Sequence, residues 1–72
     1  MNKRKAKKAD QEYKRRVAEM REIRSRLGRA YAAFDYVTDP NMMDACIFEI
    51  SALRSRYNYA VMSIRNMNSQ EV

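Results

Sequence analysis

Two apolar stripes with the same three-four rhythm, separated by the chain's single proline, decide what this sequence can fold into. The first runs Tyr13, Val17, Met20, Arg24, Leu27, Tyr31 and Phe34, with Ile23, Ala30 and Val37 on one flank. The second runs Met43, Cys46, Ile50, Leu53, Tyr57, Ala60, Ile64 and Met67. Alternating steps of three and four residues place side chains on one face of an α-helix, and such a stripe is the seam of a helix packed on another helix. Between the stripes stands Thr38-Asp39-Pro40-Asn41. Asp39 can cap a new helix, and Pro40 suits its first position, where no amide hydrogen bond is lost and φ is already set. Asp44 is expected in the first turn of that helix, where the dipole favours a carboxylate.

The expected fold is all-α: an antiparallel two-helix hairpin with helices over about 10–37 and 40–66. A connection this short makes the two helices neighbours. Residues 1–9 read as a basic flexible arm, 10–67 as the hairpin domain and 68–72 as a frayed tail. With the bend near 37–39, facing residues have numbers that sum to about 77, so Leu27 meets Ile50 and Met20 meets Tyr57. Gly28 then falls near Ile47, where the helices can approach closely, or it is a tolerated weak point costing about 1 kcal/mol against Ala. Arg24 is the one charged member of its stripe. It either pairs with Glu49 across the hairpin or lays its stem over Leu53 and sends its head to water.

The second helix carries a further stripe on its far side: Ala45, Phe48, Ala52, Ser55, Tyr59 and Met62. The far side of the first helix is polar instead, with Arg15, Glu22, Ser25, Arg26 and Arg29. The second helix is therefore built to be covered twice. A hairpin has no third element to close its core, and very small domains need help. The small residues Ala45, Ala52 and Ser55 admit a second helix closely, so the expected partner is a second copy, giving a homodimeric four-helix bundle.

The residue inventory excludes several kinds of chemistry. The chain has 72 residues with no His, one Cys and one Gly. It has no imidazole base, no thiolate zinc cage, no disulfide of its own and no phosphate-cradling glycine loop. No catalytic, metal or cofactor residue is expected, and the protein is read as non-enzymatic. Asp35, Asp39, Asp44 and Glu49 gather around the bend, but their spacing fits no calcium loop, and structural roles account for them. Cys46 sits in the seam as a small hydrophobe.

Charge supplies the remaining signal. The net charge is +6, and it is uneven. Residues 1–29 hold 12 basic and 4 acidic side chains, a net of +8, while residues 30–72 hold 3 and 5, a net of −2. Such asymmetry points to a polyanionic partner, which is nucleic acid, an anionic lipid surface or an acidic protein, though cations also serve solubility. The candidate contacts are Lys3, Arg4, Lys5, Lys7, Lys8, Arg15, Arg26 and Arg29. No recognition-helix motif accompanies them, so weak sequence specificity is expected. The alternative function is a protein–protein adaptor docking through the outer face of the second helix. No stretch is long and apolar enough to span a bilayer, no secretory signal is evident, and the lone cysteine suits the cytoplasm.

The residues Phe34-Asp35, Asp39-Pro40, Asp44, Ile47-Phe48-Glu49-Ile50, Ala52-Leu53 and Arg56-Tyr57 resemble the YaaL-like family of small bacterial proteins of unknown function. The resemblance covers about residues 27–65, and Phe48 stands where the family pattern has Tyr. It implies a cytoplasmic protein of Gram-positive-type bacteria, with no established activity and no catalytic residue to carry over.

Overall fold

A computed structural model describes residues 3–69 as two helices, α1 (Lys3–Phe34) and α2 (Pro40–Ser69). They form an all-α hairpin, a rod of 59 × 16 × 13 Å. At about 1.5 Å per residue the helices of 32 and 30 residues run about 48 and 45 Å, roughly four-fifths of that rod.

The bend follows from its sequence. After Phe34 the helix tightens and stops: the amides of Asp35, Tyr36 and Val37 donate to the carbonyls of Ala32, Ala33 and Phe34 at 3.1–3.3 Å, three residues back. Tyr36, Val37 and Thr38 are aromatic or β-branched and weak helix formers. The residue before a proline is also steered away from the helical region. Asp39 then starts α2. Its Oδ1 accepts from the Met42 amide at 3.1 Å, and its carbonyl accepts from the Met43 amide at 2.9 Å. This is the side-chain cap expected for Asp39, with Pro40 at the first helical position, whereas the first turn of α2 holds no acid and Asp44 lies beyond it.

The ends of the helices differ from the sequence expectation. The arm placed over residues 1–9 is, from Lys3 on, the first two turns of α1. Lys, Arg and Ala are good helix formers, and nothing between Lys3 and Ala9 breaks a helix. The lack of an apolar period there means only that these turns are uncovered. The first helix ends at Phe34 rather than 37, and Asn68 and Ser69, expected to fray, complete α2. Residues 1–2 and 70–72 lie outside the described residues.

The seam of α2 falls on the predicted stripe from its second turn onward. Leu53 is its centre at 2% exposure, and Cys46, Ile50, Tyr57, Ala60, Ile64 and Met67 are half-buried along it, while Met43 in the first turn is exposed. The seam of α1 keeps Val17, Met20, Leu27 and Phe34 of its predicted stripe and takes in the predicted flank in place of Arg24 and Tyr31. Met20, Ile23, Leu27, Ala30, Phe34 and Val37 face α2, with Ala30 at 8% exposure, while Arg24 and Tyr31 are exposed. Met20, Leu27 and Phe34 are common to both readings, and α2 closes on the flank of Ile23 and Ala30, which is wholly apolar, rather than on the flank that holds the charged Arg24. The apparent misfit at Arg24 is thereby removed. Arg24 and Glu49 make no ion pair with each other, since both stand in water, where a pair gains little. Gly28 is exposed, with nothing within 4 Å of the position a Cβ would take, so no close helix approach depends on it.

Candidate interaction surfaces

Two surfaces remain once the seam is closed, and each is set by one helix. The first is the basic surface of α1. Its middle is laced by ion pairs one turn apart. Arg15 grips Glu12 with two nitrogens, at 2.6 and 3.1 Å, and reaches Glu19 at 2.6 Å. Arg16 donates to Glu12 at 2.8 Å, and Lys14 meets Asp10 at 3.1 Å. Farther along, Arg29 lies 3.9 Å from Glu22. Hydrogen bonds from Arg15 and then Arg16 hold the Glu12 carboxyl down at about 2, from an ordinary 4.5. The same bond to Glu12 pushes the Arg15 guanidinium up. These pairs of opposite charge at three- and four-residue spacing support an exposed helix. Their signature, Glu12 followed by Arg15 and Arg16, is legible in the sequence.

The ion pairs sort the eight predicted contact residues. Arg15 and Arg29 are engaged with carboxylates, so a phosphate would have to compete for them. Lys3, Arg4, Lys5, Lys7 and Lys8 are exposed, and among the described residues none of them pairs with a carboxylate. Arg26 stands likewise. So does Arg21, which is not one of those eight; seven-residue steps put it on the same side of α1 as Lys14 and Lys7. The five cations of residues 3–8 crowd the N-terminus of a helix whose first turn holds no acid. That end of a helix already carries the positive pole of the backbone dipole, so this placement is unfavourable for the helix alone and favourable for an anion. The opposite end of the rod is acidic, with Asp35, Asp39 and Asp44 at the bend.

The second surface is the outer face of α2. Ala45, Phe48, Ala52, Ser55, Tyr59 and Met62 are all exposed, with Phe48 and Tyr59 at 74% and Met62 at 52%. They form one uncovered stripe, as their spacing predicted, and among the described residues the hairpin leaves it open to solvent. Beside it, Arg16, Glu19 and Ile23 of α1 with Ser55, Arg56 and Tyr59 of α2 line a groove of about 340 Å³. A groove of about 540 Å³ on the other side has Tyr31, Phe34, Ile47 and Ile50 along its wall. Glu19 shares one groove with Tyr59, and Ala9 shares another with Asn68, which matches the expected sum of about 77.

Among the described residues no group of three His, Cys, Asp or Glu side chains could hold a metal ion. No helix among them is long and apolar enough to cross a membrane. Cys46 is free and half-buried in the seam. The chain matches no family model, no curated protein and no solved structure.

Proposed function

We propose that this chain is a non-enzymatic helical binding module of the cytoplasm, dimeric and of YaaL-like kind, that holds a polyanion, nucleic acid first, on the basic half of α1. The observation that carries this reading is the row of five exposed cations between Lys3 and Lys8, without carboxylate partners among the described residues. Phosphates neutralise such cations and release counterions, which makes binding salt-sensitive and indifferent to base sequence. Arg21, about 27 Å along the helix from Lys3, and Arg26, farther on and about 140° round it, add cations along the rod.

Fluorescence anisotropy with labelled single- and double-stranded DNA and RNA over a salt series tests the reading. Binding at low salt is expected to weaken steeply as salt rises. Replacing Lys3, Arg4, Lys5, Lys7 and Lys8 by Gln is expected to flatten that salt dependence, by about one in slope for each phosphate no longer neutralised. Absence of binding at low salt, or an unchanged slope in the variant, would overturn it. A second reading, a protein–protein adaptor, rests on the uncovered face of α2, where Phe48 and Tyr59 stand in water.

A further inference from the structure

The uncovered stripe of α2 is self-complementary when a second α2 is laid against it antiparallel. Its six residues occupy the two core positions of a heptad: the steps from Ala45 to Met62 are three, four, three, four and three. An antiparallel pair related by a two-fold axis matches residues whose numbers have a constant sum. At a sum of 107, Phe48 meets Tyr59 of the second copy, Ala45 meets Met62 and Ala52 meets Ser55. Each large side chain faces an aromatic or a small one, and the two small residues meet at the axis, where the backbones come closest. Layers of this kind alternate bulk as a packed core requires.

The charges agree with the same register. In an antiparallel pair each flank of a helix faces the same flank of its mate. Glu49, Arg56 and Ser63 share one flank at seven-residue spacing, and Asp44, Ser51, Asn58 and Arg65 share the other. Flank residues meet within about two positions of the core sum, so Glu49 lies beside Arg56 of the second copy, twice over by symmetry, and Asp44 lies beside Arg65. A parallel pair would set Asp44 beside Glu49 of the second copy, face Ala45 with Ala45 and leave a void there. It would also gather the cations of both N-termini at one end. The antiparallel pair instead brings the basic end of each rod level with the acidic bend of the other.

The exposed area is of the right order. Phe48 and Tyr59, each 74% exposed, leave roughly 150 Å² apiece in water, given about 200 Å² for an aromatic side chain. With Met62 and the small residues the apolar stripe comes to about 500 Å² per copy, and its charged flanks bring the total toward the roughly 800 Å² per partner of a standard interface.

We infer that the outer face of α2 is occupied by α2 of a second copy, antiparallel, with Phe48 on Tyr59 and Glu49 paired to Arg56 across the dimer. This deepens the dimeric part of the reading above and is independent of its nucleic-acid part. The two basic α1 surfaces then lie on opposite outer sides of one particle.

The register is tested by charge exchange between chains. Sedimentation equilibrium of the full chain is expected to give a dimer. Glu49→Arg alone, and Arg56→Glu alone, place like charges opposite each other and are expected to weaken self-association by about tenfold. An equimolar mixture of the two variants places opposite charges together again and is expected to recover the dimer. Circular dichroism of each variant reports that these exposed substitutions leave the helices intact. For direction, Ala45→Cys and Met62→Cys chains are prepared in a Cys46→Ala background and oxidised. The mixture is expected to cross-link, and neither chain alone, because residues 45 and 62 lie about 25 Å apart along the helix. A wild-type monomer throughout would overturn the dimeric reading and this inference with it. A dimer indifferent to the charge variants, or Ala45→Cys chains that cross-link with themselves, would overturn the register while leaving the dimer standing. Nucleic-acid affinity is measured separately and changes neither result.

Discussion

Leu53→Ala probes the point on which the hairpin closes. Leu53 is the one large side chain fully buried among the described residues, at 2% exposure. Burying a leucine is worth about 1.5–3 kcal/mol, and removing one from a packed core costs about 2–5 kcal/mol once the cavity is counted. The seam between two helices opens to solvent along both edges, so water and neighbouring side chains can partly refill the space, which places the loss in the lower half of that range, at about 2–3 kcal/mol. For a domain of this size each kcal/mol moves the melting temperature by about 4–8 °C. The substitution should therefore lower it by roughly 10–20 °C in circular dichroism melts run at matched protein concentration. Arg24→Ala is the companion measurement. Arg24 belongs to the strict three-four stripe opposite Leu53 but is exposed, so its loss should stay within about 0.5 kcal/mol. A Leu53→Ala melt that barely moves, or an Arg24→Ala melt that falls as far, would refute the placement of the seam.

Two further outcomes follow from local features. Gly28→Ala should raise stability by about 1 kcal/mol, since the helix gains propensity and open space receives the methyl group; a lower melting temperature would show that the helices do crowd there. Glu12 has its pKa lowered to about 2 from 4.5, so its contribution is complete above 4.5 and fades as pH falls from 4.5 toward 2. Helicity followed by circular dichroism over that window should drop more in the native chain than in Glu12→Gln, and parallel curves in the two would dismiss the role of Arg15 and Arg16 in holding that carboxylate.

The bend and the seam of α2 are legible in the sequence because local chemistry and packing agree there. Asp39 and Pro40 carry a cap and a start that depend on nothing distant, and Cys46, Ile50, Leu53 and Tyr57 follow one face without interruption. The α1 seam is legible only in outline. Its apolar residues spread over a wide arc, and spacing alone fits either flank of Met20, Leu27 and Phe34, the one with Arg24 and Tyr31 or the one with Ile23 and Ala30. The start of α1 escapes a reading by periodicity because periodicity reports covering, not helicity. The uncovered stripe of α2 is visible in full, since none of its members between Ala45 and Met62 is charged. Of the basic surface, the positions are legible, and so is the spacing that pairs Glu12 with Arg15 and Arg16; a count of cations alone does not separate Arg15, gripped by two glutamates, from Lys7.

Small-angle X-ray scattering on the full chain tests the central claim, that α2 is covered on both faces, by α1 and by a second copy. The paired rods overlap almost completely, because the two-fold axis falls between residues 53 and 54, near the middle of a rod 59 Å long. The predicted particle has twice the 8.6 kDa of one chain and a thicker cross-section, with a longest dimension of only about 65 Å at 1.5 Å per residue of offset. A particle of single-chain mass, or a dimer close to twice the length of one rod, would contradict the account.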